Sequence, residues 1–563
     1  MTLDLSTDKN QTHPLEPAQN NQKQLFPTEE MNNEKAEENK CSDTSAKNKE
    51  LKELCDRLWT SADELRANSA LRSTQYSTPI LGLIFLRYAD HKFEEATQKL
   101  QKESANPNKP VRKLDYQAEG VVYLTEKSRY AYLLNLPEEA PIGKVIDDAM
   151  RSIENENEDL KDVLPKNYVG IGDKVLVNLI KLFHKIPTEL DQDLFGKIYE
   201  YFLGEFAKAE GQGSGEFYTP TSIVRLIVEV IEPYHGRILD PACGSGGMFV
   251  QSAEFVKGHL KNPYKEISIY GQEKTDDIVR LCKMNLAVHG LSGDIKQANT
   301  YYEDSFNMKG KFDFVMANPP FNVDKVDKEI IKDDPRYSLG LPTADNANYL
   351  WVQIFYSMLK EGGIAGFVMP NIACDSGYSE REIRKKLVNN KAIDVVISVA
   401  SDFFYSVALP VTLWFLKKHN SDDCRKESIL FIDARKIFNQ IDRRHREFTA
   451  QQIEFISNIV RLHREKEIET MHCSKNMVEK NFPNFKYRDI NGLCKSVSID
   501  QVEQQGWSLN PGRYVGSISL KEETGDFTET IQSLFSELEL LDNKSQEFDK
   551  TVMDFMQKIL GES

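Results

Sequence analysis

Apolar positions fall into two regimes along the chain. Leu51, Leu54, Leu58 and Leu65 recur at helical spacing, and this predicts a mainly helical region over 49–210. Its densest apolar run, Pro79 to Leu86, is too short to cross a bilayer. Beyond residue 211 the period changes. Short apolar runs predict strands at Arg237 to Leu239, Ile267 to Tyr270, Ile295 to Ala298, Phe312 to Ala317, Ile364 to Met369, Val395 to Val399 and Val411 to Leu416. Helical patterns over Met248 to Leu260 and Tyr349 to Leu359 separate some of them, the second ended by Gly362 and Gly363. Strands alternating with helices are the mark of an α/β sheet, expected over 211–420 and followed by a mixed extension over 421–516. The polar stretch Val323 to Asn348 is long for a connection inside a compact domain and reads as a mobile functional segment.

The two ends differ from this body. Residues 1–48 are rich in Asn, Gln, Glu, Lys and Thr without apolar period, and are expected to be disordered. Over 517–563, Phe527, Ile531, Leu534, Leu538, Leu541, Phe548, Val552, Phe555 and Ile559 follow steps of four and three, with Ser545 the one polar seam position. That stripe predicts a long helix built to pack on another helix.

Composition narrows the function. A chain of 563 residues exceeds one core and implies two or three domains. A net charge of −16 argues against a chain that grips a polyanion by itself. Eight cysteines without a CxxC pair, and no His at ligand spacing, indicate neither a disulfide framework nor a metal site, so reduced thiols are expected. The start of the chain has no basic and apolar leader, which places the protein in the cytoplasm, with no membrane association. The basic run Arg443, Arg444, His445 and Arg446 is flanked by Asp442 and Glu447, and reads either as a solvated face or as a DNA contact.

The chemistry sits at two strand ends. Phe312 to Ala317 leads into Asn318, Pro319, Pro320 and Phe321. The Asn318 side-chain oxygen and the Pro319 carbonyl can each accept a hydrogen bond from an exocyclic amine, drawing its hydrogens out of conjugation and meeting the positive charge that develops on nitrogen. Two prolines hold φ near about −65° and stiffen the turn, and Phe321 offers a flat apolar face to a base. A base inside a duplex reaches such a pocket only if it is flipped out. An ordinary turn with a core Phe is the plainer alternative. Upstream, Asp240, Pro241, Gly244, Ser245, Gly246 and Gly247 form a strand-to-helix turn of the kind that binds ligands in doubly wound sheets, although Phe249 occupies the place of a third fingerprint glycine. Glu273, at the next strand's end, suits the hydroxyls of a ribose, and Asn299 could bond an adenine ring. Thr219 and Pro220 close a turn, from Gly215, into a helix whose start could cap a carboxylate.

Together the Gly215 to Pro220 stretch, Asp240 to Gly247, Glu273 and Asn318 to Phe321 resemble the modification subunits of type I restriction-modification systems. The resemblance extends to Leu58, Trp59, Ile80 to Tyr88, Leu194 to Phe206, and Leu509 to Tyr514. It implies a Rossmann-like methyltransferase domain beside an N-terminal helical domain. The implied activity is transfer of a methyl group from S-adenosyl-L-methionine to adenine N6 in double-stranded DNA. It further implies cofactor contacts from Glu216, Phe217, Tyr218, Thr219, Pro220 and Thr221, and from Asp240, the glycines and Glu273. The partners implied are a sequence-reading specificity subunit shared by two modification subunits, docked through the C-terminal helix, and a restriction subunit. Cys243 departs from the aromatic or alanine common among amino-methyltransferases, which touches only local packing. Glutamine N5 or ribosomal guanine N2 methylation, cytosine N4 methylation, and a catalytically silent assembly subunit are the competing readings.

Overall fold

The computed structural model describes residues 50–516 except 68–72, 104–110, 138, 188–193, 211–218, 344, 405–408, 420–426 and 443–444. The expectations for 1–48, for the 517–563 heptad helix, for Glu216, Phe217 and Tyr218, and for Arg443 and Arg444 lie outside the described residues.

The centre is one mixed sheet of β1 (Gly236–Asp240), β2 (Ile267–Glu273), β3 (Asp294–Gln297), β4 (Phe312–Ala317), β5 (Leu359–Pro370), β6 (Ile393–Val399), β7 (Val411–Lys417), β8 (Ser428–Asp433) and, after the hairpin β9 (Asn439–Asp442) and β10 (His445–Glu447), β11 (Cys494–Ser498). Its strand order is β11-β8-β6-β7-β5-β4-β1-β2-β3. Strands β1 to β5 pair in parallel, whereas β7 runs antiparallel to both neighbours and β11 antiparallel to β8. The chain leaves β1 toward β2 and β3 and returns on the other side to β4, so the topological switch falls between β1 and β4.

Both sheet faces are covered, which explains strands that read as continuous apolar runs. Along β7, Leu413 and Phe415 enter one core while Trp414 and Leu416 enter the other. The first core lies under the helix Thr221–Ile231, which packs on Gly247–Gly258 and Ala450–His463. The helix Asn348–Met358 fills the second. The sheet does not stop at β7: β8 and β11 extend it with residues from the 421–516 segment, whose polar context hides two short strands. Gly362 and Gly363 lie inside β5, at the register shift between β4 and β5, because a side chain at Gly363 would press on the carbonyl oxygens of Phe312 and Asp313.

The long helix Ser73–Glu103 is buried at every position from Pro79 to Asp90, so its apolar run is core. Pro79 sits within it, and its carbonyl accepts a hydrogen bond from the Tyr168 hydroxyl at 2.9 Å. Trp59 meets Phe202 and Phe206 edge-on at 5.4 and 4.9 Å, tying that part of the chain to the helix Leu194–Glu210.

The Val323 to Asn348 segment departs from expectation. It is anchored rather than free. Arg336 is 3 % exposed and donates to the carbonyls of Thr300, Glu303 and Tyr301 and to Asp334, while Ile331 and Tyr337 enter the second core. Polar composition concealed these few inward-facing side chains. Among the described thiols Cys55, Cys243, Cys282, Cys374 and Cys494 are free and buried, but Cys473 is disulfide-bonded; such pairing depends on tertiary proximity, which spacing does not reveal.

The stretch Leu509 to Tyr514 closes the domain. Asn510 caps a short turn, Tyr514 stacks on Phe431 at 4.3 Å, and Leu509 N donates to the Cys374 carbonyl. Arg384, 1 % exposed, donates to the Trp507 carbonyl and the Tyr349 hydroxyl, joining this stretch to the sheet. Replacing Arg384 by Met leaves those buried acceptors unsatisfied and is expected to lower unfolding free energy by about 3 kcal/mol. A shift of the urea midpoint, with unchanged slope, is the measurement.

Candidate active site

The β1–β4 neighbourhood builds the site. Pairing sets Leu239 opposite Val315, so the turn after Asp240 and the turn after Ala317 emerge side by side at the carboxyl ends of their strands. Two adjoining cavities open there, of about 200 and about 290 Å3, sharing Ala242, Gly244, Ile278 and Asn318 in their walls.

The first turn is held open by main-chain bonds. Cys243 N donates to the Gln272 carbonyl, Gly246 N to the Cys243 carbonyl, and Asn285 Nδ2 to the Ser245 carbonyl. Gly244 has φ +51°, and a Cβ there would meet nothing within 4 Å, so its main chain faces open space. Gly246, at φ +84°, caps the following helix, and a Cβ would sit 2.9 Å from Cys282 Sγ. Glu273 accepts from Gly244 N at 3.1 Å and from Lys274 N at 2.7 Å, which fixes its carboxylate at the cavity edge. Asp240 is 2 % exposed and accepts from Ala242 N at 3.0 Å. Burial, reinforced by the nearby Glu273 charge, raises its pKa well above the ordinary carboxylate value against that hydrogen bond.

The second turn presents the acceptor. Asn318 Nδ2 donates to Thr219 Oγ1 at 2.9 Å, and Asn318 Oδ1 is buried with no hydrogen-bond partner among the described residues. Pro319 is buried and Pro320 exposed, and both line the second cavity with Glu273 and Asn299. Asn299 Oδ1 accepts from Tyr301 N at 3.3 Å, so it also caps its own turn. Phe321 is half-buried against the first core and is not among the residues lining either cavity. Thr219 and Thr221 line the first cavity, while Pro220 is buried as the cap of the helix Thr221–Ile231. Asp240, Gly244, Ser245 and Gly247 line the first cavity too, and Pro241 the second; Gly246 lines neither.

Several lining groups escaped the sequence. Ser77, Thr78 and Glu200 come from the helical region, and Trp351, whose Nε1 donates to the Tyr301 hydroxyl at 2.7 Å, closes the second cavity. No local pattern marks them, since each arrives by tertiary packing. A cluster of Asn322, Asn346 and Asn348 stiffens the turn: Asn322 takes φ +55°, and Asn322 N donates to Asn348 Oδ1 while Asn322 Oδ1 accepts from Asn346 and Asn348. Asparagine tolerates that left-handed backbone, and this was the available signal. On the hairpin, His445 pairs with Asp442, and Arg446 lies 4.2 Å from the centre of the Phe438 ring.

A doubly wound sheet with a glycine turn after β1, a carboxylate ending β2 and an Asn-Pro-Pro turn after β4 defines an amino-methyltransferase. The N-6 DNA methylase family model matches residues 190–523, and the HsdM N-terminal domain model matches 54–183. The type I restriction enzyme MjaIX methylase subunit of Methanocaldococcus jannaschii is 36% identical over 88% of this chain and 90% of its own length. The HindI methylase subunit of Haemophilus influenzae is 36% identical over 73% of this chain and 91% of its own. In fold, the crystal structure of a type I methyltransferase subunit from Streptococcus thermophilus superposes with a TM-score of 0.66 at 22% identity, covering 83% of this chain and 100% of that one. The chain therefore belongs to the N-6 DNA methylase family, among the methylase subunits of type I restriction-modification systems.

Because the raised Asp240 pKa means the folded state holds a proton more tightly than the unfolded chain, this carboxyl's contribution to stability is complete below the ordinary carboxylate value of 3.8 and is lost as pH rises through its folded value. Asp240→Asn, which keeps the acceptor for Ala242 N and removes the charge, is expected to gain stability relative to wild type as pH rises from 5 to 8 in cofactor-free protein. Urea midpoints of both proteins across that range test it; a constant difference would contradict the assignment.

Proposed function

We propose that the chain transfers a methyl group from S-adenosyl-L-methionine to the N6 amine of an adenine flipped out of double-stranded DNA. The observation that carries the reading is the buried Asn318 Oδ1, without a hydrogen-bond partner among the described residues, on a wall common to both cavities. The residues present fit the cofactor: the Gly244 main chain faces open space, and Glu273 and Asp240 stand at its two sides. In this reading Glu273 holds the ribose hydroxyls, the Gly244 to Gly247 turn and Asp240 receive the amino-acid end, and Asn299 bonds the adenine. Thr219 and Thr221 stand on the wall of the first cavity, Pro220 caps the helix that follows, and cofactor contacts from Glu216, Phe217 and Tyr218 belong to the same reading. S-adenosyl-L-methionine supplies an activated methyl on a sulfonium.

This chain's own groups do the rest. Asn318 Oδ1 and the Pro319 carbonyl accept the two amine hydrogens, so the nitrogen lone pair leaves conjugation and points at the methyl. The same oxygens stabilise the cationic nitrogen, and the surplus proton leaves afterwards, so no general base is needed before attack. Pro320 keeps the turn rigid, and Phe321 packs beneath it. No thiol takes part: its contact with the Cys282 thiol, together with burial, pushes the Cys243 thiol well above its ordinary range.

DNA sequence is read by a separate specificity subunit, to which two copies of this chain dock, and a restriction subunit joins the full assembly in the cytoplasm. The net charge of −16 supports this division of labour, because sequence-independent grip on phosphates requires clustered Lys and Arg.

Asn318→Ala is expected to lower methyl transfer by at least about 100-fold. Binding of S-adenosylhomocysteine should change less than about threefold, because the substitution removes the contact to the base and the hydrogen bond to Thr219 but no group assigned to hold the cofactor. Labelled methyl incorporated into adenine by the complex, with calorimetry for the cofactor product, reads both. Near-normal incorporation would refute the role of Asn318. Glu273→Gln is expected to do the reverse, raising the cofactor KM about tenfold or more while leaving kcat at saturating cofactor within a few-fold.

A further inference from the structure

A side-chain amide has two ends of nearly one shape and opposite character. Only one orientation of Asn318 places an acceptor where an amine must be held; turning the group by half a rotation would present NH2 to NH2. Nothing in the Asn-Pro-Pro turn itself makes this choice. The partner that does is Thr219, 99 residues earlier in the chain, whose Oγ1 accepts from Asn318 Nδ2 at 2.9 Å. The opposite end, Oδ1, is left buried and without a partner among the described residues, an arrangement that costs free energy unless a ligand completes it. A threonine hydroxyl could equally donate, and the flipped amide would then satisfy its own oxygen and spoil the site. Thr219 lies on the wall of the first cavity immediately before the cap of the helix Thr221–Ile231, and in the structure its Oγ1 takes the accepting role toward Asn318 Nδ2.

We infer that Thr219 is a positioning residue for the methyl-transfer step, acting through Asn318 by fixing its amide with the oxygen toward the substrate amine, in addition to whatever it contributes to the cofactor wall. The inference rests on the reading of Asn318 as the amine acceptor. It gives the helical-to-catalytic junction a role in base holding.

The test uses the full chain purified in complex with its sequence-reading partner, on duplex DNA carrying the recognised site as mapped from methylated genomic adenines. Thr219→Val is expected to lower kcat at saturating S-adenosyl-L-methionine by about 10- to 100-fold, independently of any change in S-adenosylhomocysteine affinity, and Thr219→Ser to restore kcat to within a few-fold of wild type. Asn318→Asp supplies two equivalent oxygens, so orientation no longer matters, and Thr219→Val should then have less than about a threefold effect in that background. An equilibrium readout on the same proteins is the ratio of affinities for duplexes carrying adenine or purine, which lacks the amino group, at the target. Thr219→Val should lower the preference for adenine, and the same substitution added to Asn318→Asp should leave it unchanged. The inference is overturned if Thr219→Val weakens cofactor binding and leaves kcat unchanged, or if its effect is as large with Asn318→Asp as without. Retention of turnover by Asn318→Ala would instead sink the underlying reading of the site.

Discussion

The parallel pairing of β1 with β4 is the constraint from which the site follows. Because Ile238 lies opposite Phe314 and Leu239 opposite Val315, Asp240 and the glycine turn leave the sheet beside Asn318 and its prolines. The chain goes outward through β2 and β3 and returns to β4 on the other side of β1, so the topological switch, where a doubly wound sheet binds ligands, falls above these two strand ends. A one-residue slip of β4 would exchange the two cores, sending Met316 to the side of Val315 and Ala317. The apolar covering of both faces therefore holds the register on which the cavity geometry depends.

Within that frame the site carries groups the cores would not tolerate. Asp240 is buried among neighbours that disfavour its charge, and Asn318 has an oxygen without a partner among the described residues. Both conditions oppose folding, and both are relieved by a ligand that donates hydrogen bonds. Such polar groups fixed in advance need not reorganise during reaction, which is why electrostatic stabilisation of this kind is effective. The glycine turn and the Asn322, Asn346 and Asn348 cluster keep these groups in place from opposite sides of the cleft.

Much of this was legible in the amino-acid sequence because it is local. The β4 strand Phe312–Ala317 coincides with its apolar run, and the seven strands read from apolar runs all form, with ends differing by a few residues. The turns announced themselves through glycine and proline, whose backbone limits are intrinsic. What could not be read depends on partners distant in the chain. Arg336 and Tyr337 sit in a polar stretch that looked mobile, and only the carbonyls of Thr300, Tyr301 and Glu303 explain their burial. Strands β8 and β11 are five or six residues long and become strands by pairing with each other and with β6. Trp351 at the second cavity and the hydrogen bond from Asn318 to Thr219 belong to this class of tertiary facts, whereas Asn318 is singled out as a candidate by its own turn taken together with the glycine turn upstream.

The division between chemistry and recognition is written in the charge. Near the cleft, the positive groups of the anchored segment are largely answered by neighbours: Arg336 by Asp334, Lys332 by Glu329, Lys325 by the adjacent Asp324. On the hairpin, Arg446 rests on Phe438, and the adjacent His445 pairs with Asp442. Cations engaged in this way leave little net field to attract a phosphate backbone, and a surplus of 16 negative charges repels one at long range. A chain so constituted can hold an extruded base with short-range acceptors that operate only at contact. On the proposed reading, a positively charged partner brings the duplex close enough for those contacts to form.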